Sequence, residues 1–73
     1  MIENSDVAKQ VSELMLDYSR RLDSSIALVR DSCDAEEFKG YRRAVGKVLG
    51  EIYLEVLTPL YQKHPDLKPP GMD

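Results

Sequence analysis

The chain has 73 residues, a formal net charge of −3, a single cysteine and a single histidine. That length allows one domain, close to the size at which a single core barely offsets chain entropy. Cys33 and His64 alone exclude an intrachain disulfide and a Cys/His zinc site, and the negative balance argues against general nucleic-acid affinity.

The N-terminus, MIENSDVAK, has no basic stretch followed by an apolar one, so no signal peptide is expected, and no apolar run approaches a membrane span. With one thiol and no leader, a cytoplasmic protein is the default expectation. Charge is unevenly spread: residues 1–34 carry four Lys/Arg and seven Asp/Glu, whereas residues 35–73 carry six of each.

The first predicted element is a helix over about residues 5–32. Val11, Met15, Tyr18, Leu22, Ile26, Val29 and Cys33 recur at steps of four and three, the spacing of one helical face. Asn4, Ser5 or Asp6 can cap its start, because their side-chain oxygens reach otherwise unpaired amides. Flanking the main stripe are an apolar shoulder of Val7, Leu14, Ser25 and Leu28 and a strip of small residues, Ala8, Ser12, Ser19 and Ala27.

The polar run Asp31-Ser32-Cys33-Asp34 favours a break, since such side chains compete for backbone amides. The competing reading is a helix continuing through residue 33. The break is preferred because Asp34 followed by Glu37 makes a fresh capping signal.

A second helix is expected over about residues 35–64, with Phe38, Tyr41, Val45, Leu49, Ile52, Val56 and Leu60 on its main face. Both stripes repeat at eleven residues, which predicts nearly straight packing. Pro59 cannot donate to the Glu55 carbonyl, so a bend is predicted near residues 58–59, either as a kink or as Thr58 capping a short last helix that Pro59 opens and that runs through Leu60 and Tyr61. Beyond His64, three prolines in nine residues argue against helix and for an extended tail over residues 65–73.

Two helices of similar length with a short connection fold back as an antiparallel hairpin, here with residue pairs whose numbers sum to about 67. Asp23 then approaches Arg43 as a rim ion pair. A second stripe on the later helix, Gly46, Gly50, Tyr53, Leu57 and Tyr61, exceeds what two helices can bury. The fold class expected is therefore all-α: an antiparallel two-helix hairpin dimerising into a four-helix bundle, with a Pro-rich tail. Over residues 5–64 this architecture resembles the Rop-type dimer of two-helix hairpins. The resemblance is one of topology, carried by no residue motif, and transfers no function.

Candidate sites follow from these stripes. Gly46, Gly50, Tyr53, Leu57 and Leu14 form the expected dimer interface, with the glycines allowing close approach of a second backbone. Arg20, Arg21, Arg42, Arg43 and Lys47 form an alternative nucleic-acid patch, a basic belt assembled by folding the hairpin. Cys33 is expected to lie buried against a neighbour. No catalytic residue, cofactor or metal site is expected: His64 has no nucleophile beside it, no glycine loop precedes a helix, and the helical Glu-x-x-His pattern is absent. The sequence points to a non-enzymatic interaction module or regulator. The alternative is a small dimeric RNA- or DNA-binding regulator. Protein partners are expected to meet the apolar surface or the Pro-rich tail.

Overall fold

The computed structural model describes residues 1–71. Met72 and Asp73, the last two residues of the expected tail, lie outside them. Among the described residues the chain is all-helical and has no strand. Helix α1 spans Ser5–Ser32 and α2 spans Ala35–Glu51. A π-helical segment, Ile52–Leu57, leads into the short helix α3, Thr58–Lys63.

The starts of α1 and α2 each have a side-chain cap. Asn4 Oδ1 accepts hydrogen bonds from the Asp6 and Val7 amides at 2.9 and 3.1 Å. Asp34 Oδ1 accepts from the Glu37 amide at 2.8 Å. That bond holds the exposed Asp34 carboxyl below its ordinary pKa. With α1 ending at Ser32 and α2 starting at Ala35, the chain reverses within two residues and forms an antiparallel hairpin.

Register can be read from side-chain contacts. Ser25 with Tyr41, His64 with Ile2, and Lys63 with Glu3 each pair residues whose numbers sum to 66. The Ser25 hydroxyl donates to the Leu22 carbonyl, so the Tyr41 hydroxyl is the donor to Ser25 Oγ, at 2.7 Å. At the open end His64 Nε2 lies 2.6 Å from the Ile2 carbonyl oxygen. A carbonyl only accepts, so this imidazole carries a proton on Nε2.

The face of α1 turned to its partner is shifted from the main apolar stripe toward the small strip, with Val11, Met15, Leu22, Ile26 and Val29 of the stripe half-buried at its edge. Buried on α1 are Ala8, Ser12 and Ser19, the small strip, whereas Tyr18 and Cys33 of the expected stripe are exposed. Small residues let the helices approach closely, and bulk comes from the opposite strand of the hairpin. Leu57, Leu60 and Tyr61 close over Ala8, with Ile2, Met15, Leu16, Ile52 and Leu67 around them. Ser12 Oγ and the Tyr61 hydroxyl share a buried hydrogen bond of 2.5 Å.

A short last helix does begin at Thr58 with Pro59 in its first turn, as α3, but the chain enters it without a side-chain cap. The backbone stays right-handed helical through Leu57 and Thr58, and the distortion lies upstream, in the six π-helical residues. There the Thr58 amide donates to the Tyr53 carbonyl, five residues back. A π turn takes roughly one more residue than an α turn. Across the segment, residues downstream are displaced by about the 100° that one residue sweeps. Leu57 and Tyr61 therefore leave the face of Gly46 and Gly50 and turn into the core. Pro59 sits in the first turn of α3, directly after the π segment, whose five-residue bond spacing accommodates its missing amide hydrogen.

The tail also departs from an extended strand. Pro65–Leu67 make one 3-10 turn, held by the Leu67 amide donating to the His64 carbonyl at 3.0 Å. Proline at the start of that turn needs no donor, and Leu67 packs against the core. The core as a whole sits at the open end of the hairpin. Toward the turn, Val45 is the buried hydrophobic residue.

Candidate interaction surfaces

The residues expected to form one dimer face fall in four places. Leu57 is fully buried in the hairpin's own core and offers nothing to a second chain. Gly46 and Gly50 stand free: a Cβ built on either meets no atom within 4 Å. Tyr53 lies at the junction with the π segment and lines a shallow hollow with Leu16, Ser19, Arg20, Asp23 and Leu49. Leu14 lies elsewhere, on the α1 shoulder with Val7, one heptad away. The continuous glycine seam is thus dismantled by the π segment, a feature that constant helical spacing cannot anticipate.

The hollow beside Tyr53 has one polar peculiarity. Ser19 Oγ is buried and has no hydrogen-bond partner. Tyr53 also lines a second hollow, with Thr58, Tyr61, Gln62, Pro65 and Lys68, so the two adjoin along this side of the hairpin.

The basic belt is divided as well. Arg20 and Arg21 both turn to Asp17, at 3.6 and 3.3 Å, one helical turn away on α1. Arg21 additionally stacks on the Tyr18 ring, 5.4 Å from its centroid. Asp23 does not form the ion pair expected with Arg43. On α2, Arg42 stacks on Phe38, and Lys39, Gly40, Arg42 and Arg43 line an open hollow with Glu36. Lys39, Arg43 and Lys47 recur every fourth residue on α2 and make no ion pair among the described residues. These cations, rather than the five-residue belt, form the one contiguous basic strip.

Cys33 is exposed at the end of α1, not buried. His64 is an internal tie between the two ends of the chain, which the sequence pattern does not reveal. Among the described residues no group of three or more His, Cys, Asp or Glu side chains is placed to hold a metal ion. Among them, too, no helix is long and apolar enough to cross a membrane.

Several large apolar side chains also stand unpartnered among the described residues. Tyr18 and Val48 are 50% and 49% exposed, and each lies one heptad from a member of the Ser25–Tyr41 pair, toward the open end. They form the next rung on the same side of the hairpin. Leu14 and Val7 continue that side along α1, both exposed. No protein-family model matches the chain, and comparison with curated proteins and with solved structures returns no significant match.

Proposed function

We propose that this chain is a non-enzymatic protein-interaction module or regulator that acts as a homodimer, two hairpins closing into a four-helix bundle. The reading rests chiefly on unfinished burial. The chain keeps 5345 Å² accessible, against about 4,600 Å² for a folded monomer of this size. The excess, about 750 Å², is close to the roughly 800 Å² each partner contributes to a standard interface. It accompanies an elongated outline of 45 × 20 × 16 Å and large apolar side chains left outside. We place the dimer in the cytoplasm, where an exposed thiol such as Cys33 stays reduced.

Analytical ultracentrifugation across the micromolar range tests the proposal. Twice the chain mass is expected, and a monomer throughout overturns it. The protein-binding part is tested by affinity capture at native concentration, with binding expected to fall when residues 65–73 are deleted or the Tyr53 hollow is altered. Partners retained after both changes refute those sites.

The strip Lys39, Arg43 and Lys47 supports a second reading, a nucleic-acid-binding regulator. Its test is a mobility shift with RNA or duplex DNA, whose affinity must fall steeply with salt. No shift at low salt removes it.

A further inference from the structure

Along α1, Val7, Val11, Leu14 and Tyr18 follow alternating steps of four and three, and the steps continue through Arg21 to Ser25 and Leu28. This is the 3.5-residue period of a seam that packs against another helix. It is not the seam α2 occupies. The buried residues Ala8, Ser12 and Ser19 each follow a member of the open seam by one position, a rotation of about 100°. So α1 carries two seams about a quarter-turn apart, one covered by α2 and one largely bare: Val7, Leu14, Tyr18 and Leu28 are exposed, while Val11 is half-buried and Ser25 meets Tyr41 at the edge of the α2 contact. A helix in a square four-helix bundle touches its two neighbours at about that angle.

We infer that the bare seam of α1 is occupied by the same seam of a second copy, antiparallel, about a two-fold axis beside Tyr18. This inference rests on the homodimer reading above and assigns its surface. Three observations favour this occupant and orientation.

The first is overlap. Antiparallel pairing about that axis lays the whole seam upon itself, with Leu28 meeting Val7 of the partner subunit.

The second is charge. Arg21 is the one charged residue on the seam, and a parallel pair would set it against Arg21 of the partner subunit. Antiparallel, it falls among Glu13 and Asp17 of the partner subunit. The N-terminal part of α1 carries Asp6, Glu13 and Asp17 against Lys9, a net −2, while the C-terminal part carries Arg20, Arg21 and Arg30 against Asp23 and Asp31, a net +1. An antiparallel pair brings these unlike halves together.

The third is the position of α2. A two-fold axis perpendicular to α1 leaves both α2 helices on the same side of the α1 pair, closing four helices around one core. Val48, on the bare side of its own hairpin, then faces the other α2. An axis along α1 would put the two α2 helices on opposite sides and leave Val48 in water.

Sedimentation of three full-length proteins tests the face. The native chain is expected to be a dimer. Leu14→Glu, whose side chain is half-exposed in the hairpin, is expected to weaken it at least tenfold while the helical circular dichroism persists. Leu54→Glu, at an exposed position off the seam, is expected to leave the dimer unchanged. Cys33 reports orientation. In the antiparallel pair the two Cys33 lie about 45 Å apart, at opposite ends of the bundle. Mild oxidation should therefore link no native dimer, whereas Tyr18→Cys in a Cys33→Ser background should link efficiently.

A native monomer overturns both the homodimer and this inference. A dimer indifferent to Leu14→Glu, with Tyr18→Cys failing to link, overturns the seam and leaves the homodimer standing. Rapid Cys33 linkage overturns the antiparallel arrangement.

Discussion

Replacing Gly46 and Gly50 by alanine puts the geometry of α2 to a direct test. Both lie inside a continuous helical stretch, and alanine there is favoured over glycine by about 1 kcal/mol each, through lower chain entropy in the unfolded state. A methyl group at either position enters open space, so no packing penalty offsets the gain. Together the substitutions are expected to add about 2 kcal/mol. In a domain of this size each kcal/mol moves the melting temperature by roughly 4–8 °C, so the double variant should melt about 10 °C higher. Thermal melts followed at 222 nm, at several protein concentrations, measure the shift, and sedimentation measures the dimer. Gly40→Ala is the control, since Gly40 lies in the same helix with equally open surroundings. If Gly40→Ala stabilises while Gly46→Ala and Gly50→Ala destabilise or dissociate the protein, the glycines pack against another chain. The π segment would then have left their seam in use.

Other substitutions test the core and the caps. Leu57→Ala empties a fully buried site and is expected to cost about 2–5 kcal/mol, a large share of the roughly 4–11 kcal/mol such a chain commands, which urea titration will register. Tyr61→Phe leaves Ser12 Oγ buried without its partner, at a cost of about 1–3 kcal/mol. Adding Ser12→Ala should recover most of that loss, and a double-mutant cycle that shows strict additivity would refute the pairing. The depressed pKa of Asp34 makes its capping contribution complete above the ordinary carboxylate range and progressively lost as pH falls through the lowered value. Asp34→Asn, which still caps, should flatten the acid limb of stability below about pH 4, and an unchanged pH profile counts against the cap.

The limits of α1 were legible because its signals are local: Asn4 before the first turn, an unbroken periodicity, and Asp34 restarting the chain. Which edge of the apolar face of α1 packs most closely on α2 was not legible. Hydropathy ranks Tyr18 above Ser19, yet the closely packed side is the one with small residues, because Leu57 and Tyr61 supply the volume from across. That choice depends on complementarity between two surfaces and is invisible on either alone. Pro59 announced a disturbance but not its form. A kink and a π turn answer the same missing amide hydrogen, and they place Leu57 on different sides. Of the candidate dimer face, Leu57 is taken into the hairpin's own core, while Leu14 keeps an exposed place on α1 and Gly46 and Gly50 stand open. The pairing of Arg20 and Arg21 with Asp17 on their own helix was not anticipated either, because the hairpin reading looked for partners across it.

The π segment also bears on how this sequence can vary in length. Removing one residue from an ordinary helix turns everything beyond it by about 100° and misdirects every later core residue. Ile52–Leu57 already carries about one residue in surplus. Excising Leu54, which points largely into solvent, would let the segment relax to α-helical winding with Leu57, Leu60 and Tyr61 still facing Ala8. A helix interior is ordinarily where insertions and deletions are least tolerated. Here the hairpin holds one place at which its count can change and its core remain the same.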